Sequence, residues 1–212
     1  MPQTPRFITL EGGEGAGKST QARLLAAALT DLGLPVLLTR EPGGAPGSEA
    51  LRALLLSGRI AWSAPAEALL HFAARAEHVE KTIRPALAAE SWVVCDRFAD
   101  STMAYQGYGQ GVDRAMIATL TALIGLVPDV TLVLDVSDPV ASARLRRRGG
   151  MTDRYEKLDG AFHARVNAGF RAIARADPAR CVLLPADGGE AEVHAAVMRA
   201  LWERVPPGAP AP

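Results

Sequence analysis

The run Gly12-Gly13-Glu14-Gly15-Ala16-Gly17-Lys18-Ser19-Thr20 contains the spacing G-x-x-x-x-G-K-[ST]. Glycines at such positions let successive backbone N–H groups turn inward on the phosphates of a nucleotide, and a helix beginning there adds its dipole. Lys18 reaches the outer phosphates, and the Ser19 hydroxyl is suited to Mg²⁺. Guanine-specific GTPases read their base with an N-K-x-D run, but the only asparagine is Asn167, followed by Ala-Gly-Phe, so that class is not expected, and a small-molecule kinase fits the size better than a motor ATPase. A second chemical pair is Asp96-Arg97. The aspartate can hold Mg²⁺ through water, while Arg97 offers a rigid fork for a second anion. A third cluster is basic: Arg146, Arg147, Arg148 and Arg154 surround Gly149-Gly150. An arginine brought to the transferred phosphoryl group by a closing loop is worth about 10³ to 10⁵ in rate in well-studied cases. Arg148 and Arg154, which flank the glycines, are the favoured pair.

These groups need a scaffold, and the hydrophobic pattern supplies one. Phe7 to Glu11 is a short apolar-rich run before the glycines, and Leu24, Leu25, Ala28, Leu29 and Leu32 then follow helical spacing, giving strand, loop, helix. Gly33 caps that helix and Pro35 to Thr39 is a second strand. Helical spacing resumes at Leu51 to Leu56 and at Ala66 to Leu87. Trp92 to Cys95 reads as a third strand, which puts Asp96 and Arg97 at a carboxyl edge, where open α/β sheets bind ligands. A helix over Asp113 to Leu126, a strand over Val130 to Asp135 and a helix capped by Asp138 come next. Arg144 to Tyr155 reads as a mobile loop, Leu158 to Ala176 as a helix, Cys181 to Leu184 as a fifth strand and Glu190 to Val205 as a last helix. Strands alternating with helices predict an α/β fold, a five-stranded, mostly parallel sheet with helices on both faces.

Composition narrows the function classes. The 212 residues are 49% apolar and 22% charged, enough for one well-packed domain, expected over 1–205 with a disordered Pro-rich tail at 206–212. Twenty-three basic residues balance 23 acidic ones, which argues against nucleic-acid binding. Cys95 and Cys181 sit beside apolar runs and read as buried thiols. No stretch approaches the length of a membrane span, and the N-terminus lacks a basic start and apolar h-region, so the cytoplasm is the expected compartment.

Four ordered motifs then make the reading specific: the run Phe7 to Thr20, Thr39-Arg-Glu-Pro-Gly-Gly44, Asp96-Arg-Phe-Ala-Asp-Ser-Thr-Met-Ala-Tyr-Gln-Gly107 and Asp153-Arg154-Tyr155-Glu156. Together they resemble bacterial thymidylate kinase from about residue 6 to 204. The resemblance implies a P-loop nucleoside monophosphate kinase-like fold with a short basic lid near 146–156. It also implies transfer of the γ-phosphoryl group of ATP to dTMP with Mg²⁺, in a homodimer. Position by position, it places Glu14 near the 3′-hydroxyl of dTMP, Glu41 and Pro42 along the sugar, and Arg52 and Arg97 at the monophosphate. Arg75 falls where the thymine O4 is read, Thr102 at the base edge, and Tyr105 and Gln106 beside the deoxyribose. His71 is a departure: it stands where the family usually stacks a phenylalanine on thymine, with Phe72 one residue later. Gln110 departs too, standing where a basic residue is common.

A monophosphate arrives largely dianionic at pH 7, with a second pKa of about 6, and so needs arginines; a nucleoside needs a base to deprotonate its hydroxyl. The arginines favour a nucleotide acceptor. Deoxynucleoside kinase or another monophosphate kinase stays open as an alternative, as does a P-loop module that binds ATP without turnover.

Overall fold

The computed structural model describes residues 6–148, 154, 155 and 158–205. The expected Gly149-Gly150 hinge, Asp153, Glu156, the tail at 206–212 and the Arg148 side chain lie outside the described residues.

Five apolar runs form the sheet: β1 (Phe7–Gly12), β2 (Val36–Arg40), β3 (Trp92–Asp96), β4 (Val130–Asp135) and β5 (Cys181–Pro185). They lie in the order β2-β3-β1-β4-β5 and every pairing is parallel. Parallel strands need crossovers, and helices supply them. The helices are α1 (Lys18–Asp31), α2 (Pro46–Leu56), α3 (Ala64–His78), α4 (Arg84–Ala88), α5 (Ala99–Thr102), α6 (Arg114–Ile124), α7 (Asp138–Arg148), α8 (Gly160–Ala176) and α9 (Glu190–Arg204). On one face, Ile8, Leu10, Trp92, Leu132 and Leu134 pack against Leu25 and Leu29 of α1 and Val197 and Leu201 of α9. On the other, Phe7, Val93 and Cys95 meet Val79 and Ile83, while Val133 meets Phe162, Val166 and Phe170 of α8. Alternate residues of each strand therefore serve opposite layers, as the pleat requires. Both cysteines are buried and free.

The chain runs from β1 to β2 and β3 on one side, then crosses to β4 and β5 on the other. This leaves a crevice at the carboxyl end of β1, the place where such sheets bind ligands. Asp96 is registered with Leu10, and Gly12 with Leu134, so the Gly12–Gly17 loop and the Asp96-Arg97 turn share one edge.

Local chemistry explains most element ends. Gly33, at φ 79°, follows α1 with Gly33 N–H donating to the Thr30 carbonyl and Leu34 N–H to that of Leu29, a Schellman close. Asp113 and Asp159 accept from Ala115 and Phe162 N–H as N-caps. Three stretches depart from the sequence reading. Helix α2 starts at Pro46 rather than near Leu51, with proline in its first turn. The expected loop at Arg144 is instead the end of α7, since arginine is a good helix former and a basic end suits the C-terminal dipole. Residues 97–112, left unassigned by periodicity, form α5 and a wide π turn over Met103–Gly109; a second π turn, Val79–Ile83, joins α3 to α4. Gln110 N–H donates to the Tyr105 carbonyl five residues back, which a 3.6-residue period cannot signal.

Candidate functional site

At the phosphate end, the loop geometry follows from two glycines. A Cβ on Gly12, at φ 135°, would stand 2.4 Å from the Leu134 carbonyl oxygen, and one on Gly15, at φ 73°, would stand 2.7 Å from that of Ala141. Only glycine lets the chain pass so close to β4 and α7. The N-cap of α1 is Gly17, which has no capping side chain, so the first-turn N–H groups remain available to an anion. Lys18 is buried and its Nζ donates to the Gly13 carbonyl at 2.7 Å. Burial, with Arg97 nearby, lowers its pKa to about 8. The Ser19 hydroxyl donates to Asp96 Oδ2, and Asp96 Oδ1 is buried without a hydrogen-bond partner. A hydroxyl beside a carboxylate oxygen with spare acceptor capacity is a hard-oxygen set that fits Mg²⁺.

Arg97 occupies the left-handed region at φ 73°, an uncommon state for a non-glycine residue. Its guanidinium meets Glu14 at 2.6 Å, the Gly12 carbonyl at 3.2 Å, and the Ser101 and Tyr105 hydroxyl oxygens at 3.1 Å each. Tyr105 in turn donates to Glu14 at 2.6 Å. Burial alone would raise the Glu14 carboxyl, but Arg97 and Lys18 hold it down at about 2.

The turn that strains Arg97 rests on Glu11, a fully buried residue of β1. Glu11 Oε1 accepts from Phe98 N–H at 2.7 Å and Ser101 N–H at 3.3 Å, and Oε2 meets the Ser101 hydroxyl at 2.6 Å. Burial and the neighbouring Asp100 push the Glu11 carboxyl up to about 8. The folded state therefore binds this proton more tightly than the unfolded chain. Its contribution to stability is complete below about pH 4.5 and is lost as pH rises through about 8. Glu11→Gln reproduces the neutral group, with an oxygen for the two N–H donors and an NH₂ for Ser101. Urea denaturation between about pH 5 and 9 should show wild-type stability falling with pH relative to the variant, by more than ~1 kcal/mol over that range.

At the other end of the crevice, Arg75 donates through Nε to Glu41 at 2.8 Å and through Nη2 to Thr102 at 3.1 Å, while its Nη1 is buried without a hydrogen-bond partner. His78 holds the second Glu41 oxygen at 3.1 Å. Arg52 donates to the Pro42 carbonyl at 2.6 Å. His71 Nε2 lies 2.9 Å from the Tyr155 hydroxyl, and Gln106 Nε2 lies 3.2 Å from the same oxygen. Burial, then Arg75 and Arg97, lowers the His71 pKa to about 3, so its ring is neutral at physiological pH. Phe72 packs with Ala68, Val112 and Ile117.

One cavity of about 580 Å³ joins the two ends, and it is lined by all the expected site residues except Gly12, Gly13, Arg148 and Arg154. The two glycines begin the loop at the end of β1, and the Arg148 side chain is outside the described residues. Arg154 is in another place than expected: it pairs with Glu67 at 2.8 Å rather than lining the cavity. Arg147 does line it, as do Arg144 and Leu145 of α7 and Gly188, Gly189 and Val193 at the far end. Sequence reading missed Glu11, Glu67, Ser101 and Tyr155. A glutamate inside a buried strand was the available sign for Glu11. For Glu67 the sign was its spacing, four before His71 and eight before Arg75 on one helix.

Residues 10–197 match the family model described as thymidylate kinase. The chain is 55% identical to the thymidylate kinase of Gluconobacter oxydans over 201 residues, 93% of this chain and 94% of that protein. It is 54% identical to the thymidylate kinase of Rhizorhabdus wittichii over 207 residues, 95% of this chain and 99% of that one. The crystal structure of thymidylate kinase from Ehrlichia chaffeensis superposes with a TM-score of 0.78 at 37% identity, covering 93% of this chain and 98% of that chain. With a loop, crevice and cavity that suit a nucleotide pair, and likeness along nearly its whole length, the chain belongs to the thymidylate kinase family and so to the nucleoside monophosphate kinases.

Proposed function

We infer that the chain phosphorylates dTMP to dTDP by direct transfer of the γ-phosphoryl group of ATP along the cavity. The observation that carries this reading is the buried, unpartnered Arg75 Nη1 in a wall that also presents His71, Thr102 and Gln106. A free donor in that wall suits a carbonyl acceptor such as thymine O4, whereas cytosine presents an amino donor there.

Lys18 and Arg97 serve the phosphates, and Arg144 and Arg147 of α7, which line the same cavity, are candidates to join them. Ser19 and Asp96 would hold Mg²⁺, which would offset the charge of the phosphates. The acceptor phosphate needs no general base, because it arrives largely ionised. Arg97, beside Glu14, and Arg52, on α2, line the part of the cavity assigned to that phosphate. Tyr105, held by Glu14 in the cavity wall, is the ring suited to exclude a 2′-hydroxyl. Gly188, Gly189 and Val193 border the opposite end, suited to the adenine. Arg154, held on Glu67, serves the acceptor end, so Arg154→Ala should raise the KM for dTMP more than it lowers kcat. The reverse pattern would return it to the phosphate side.

His71 is the stacking platform, because it lines the cavity while Phe72 faces the core. His71→Ala should raise the KM for dTMP about tenfold, by the energy of base stacking on a ring. Phe72→Ala should instead cost about 3 kcal/mol in stability. Calorimetric titration with dTMP and urea denaturation of both variants check the assignment.

A coupled assay of ADP release across nucleosides and monophosphates tests the reaction. dTMP should give turnover and thymidine none; turnover with thymidine would indicate a deoxynucleoside kinase, and ATP binding without dTMP-dependent turnover a regulatory module. We also propose a cytoplasmic homodimer. Leu69 on α3 and Leu123 on α6, 48% and 76% exposed, support an apolar contact face, and light scattering coupled to gel filtration would measure the assembly. No helix among the described residues is long and apolar enough to cross a membrane.

A further inference from the structure

Behind the acceptor wall lies the carboxylate that holds Arg154. Glu67, on α3 one turn before His71, is fully buried and does not line the cavity. Its Oε1 accepts from the Tyr155 hydroxyl at 2.7 Å and from the side-chain amides of Gln106 and Gln110 at 2.9 Å each. Arg154 Nη2 stands 2.8 Å from Oε2. One carboxylate thus gathers α3, the Met103–Gly109 turn and the Arg154-Tyr155 turn.

Proton accounting gives this arrangement a direction. A carboxylate only accepts, so the single Tyr155 proton goes to Glu67. The Tyr155 oxygen is then the acceptor for Gln106 and for His71 Nε2. His71 must carry its proton on Nε2, which leaves Nδ1 as the ring's acceptor. Tautomer, ring orientation and the Gln106 amide all follow from one buried charge, as a metal-bound or catalytic histidine is fixed by the partner of its other nitrogen.

Resting on the proposed dTMP site, we infer that Glu67 is a positioning residue for the phosphoryl acceptor, fixing His71 and Gln106 in the cavity wall through Tyr155 and tying that wall to Arg154. The acceptor end then depends on Glu67, while the P-loop end does not.

Calorimetric titration of dTMP and, separately, of ADP into wild type, Glu67→Gln, Tyr155→Phe and the double variant tests this. Glu67→Gln should weaken dTMP at least about tenfold, the cost of losing hydrogen bonds to a charged group, with ADP affinity within about twofold of wild type. The double variant should be no more than about twofold weaker than Glu67→Gln alone, because the two act on one path. Unchanged dTMP affinity, a parallel loss of dTMP and ADP affinity, or losses that multiply would each overturn the inference. Nitrogen-15 NMR of histidine-labelled wild type, with His71 assigned by its absence in His71→Phe, needs no Glu67 variant to fold. An Nε2–H tautomer is expected and an Nδ1–H tautomer would overturn it. Wild type that binds ADP but not dTMP would remove the proposed substrate, and this inference with it. Wild type that binds dTMP beside unaffected variants would remove the inference alone.

Discussion

Lys18→Ala should reduce turnover at least about 10³-fold while leaving the fold in place. A preorganised donor aimed at charge that develops in the transition state is worth about 10² to 10³ in rate, and Lys18 carries a full charge besides. Stability should change little, because burial penalises the ammonium. It is buried, bonded to one carbonyl of its own loop, and held at a pKa of about 8 against a usual value near 10.5. Removing it relieves desolvation as it loses one hydrogen bond. Dianionic phosphates reverse the balance by restoring the charged form, so the lysine is tuned to gain most when nucleotide arrives. Coupled ADP release together with thermal melting checks both halves. Activity within about tenfold of wild type, or 1.4 kcal/mol, would sink the P-loop assignment.

Arg97→Ala should cost both rate and stability. Four contacts disappear at once, including the 2.6 Å pair with Glu14. Glu14 is then left largely buried without its cation, and breaking such a pair costs about 3 kcal/mol. Turnover should fall about 10²- to 10³-fold, since the residue serves charge on the reacting phosphates. Arg97→Lys should recover much of the stability but little of the rate. One ammonium can neutralise Glu14, yet it cannot span Glu14, the Gly12 carbonyl and Tyr105 together. Urea denaturation beside steady-state kinetics separates the two losses, and full kinetic rescue by lysine would show that only the charge matters.

Legibility in the sequence followed the range of each interaction. The phosphate loop is contiguous, so nine residues carry its identity. The strands were legible because burial on both faces produces apolar runs, and the helix ends because Gly33, Asp113 and Asp159 act on their immediate neighbours. The Met103–Gly109 turn was not, since its widened period erases the 3.6-residue signal on which helix reading rests. Arg154 illustrates the other limit. A basic loop near a phosphate site suggests a cation for transfer, but its partner Glu67 lies 87 residues earlier and no spacing announces it. Tyr155 is likewise 88 residues from the carboxylate that orients it.

The strand order has a consequence for how the enzyme comes into being. β1 does not pair with β2, the next strand in the chain: its partners begin at Val93 and Val130, 86 residues on from Phe7 and 122 on from Ile8. Each closure carries a loop entropy cost before any contact offsets it, and such topologies fold slowly. On a ribosome, the Gly12–Gly17 loop emerges well before β4, since the Leu134 carbonyl that Gly12 passes so closely comes more than a hundred residues later. The phosphate loop is thus synthesised long before the strand it packs against. A nascent chain stalled before β4 should hold the whole phosphate-binding sequence and bind no nucleotide.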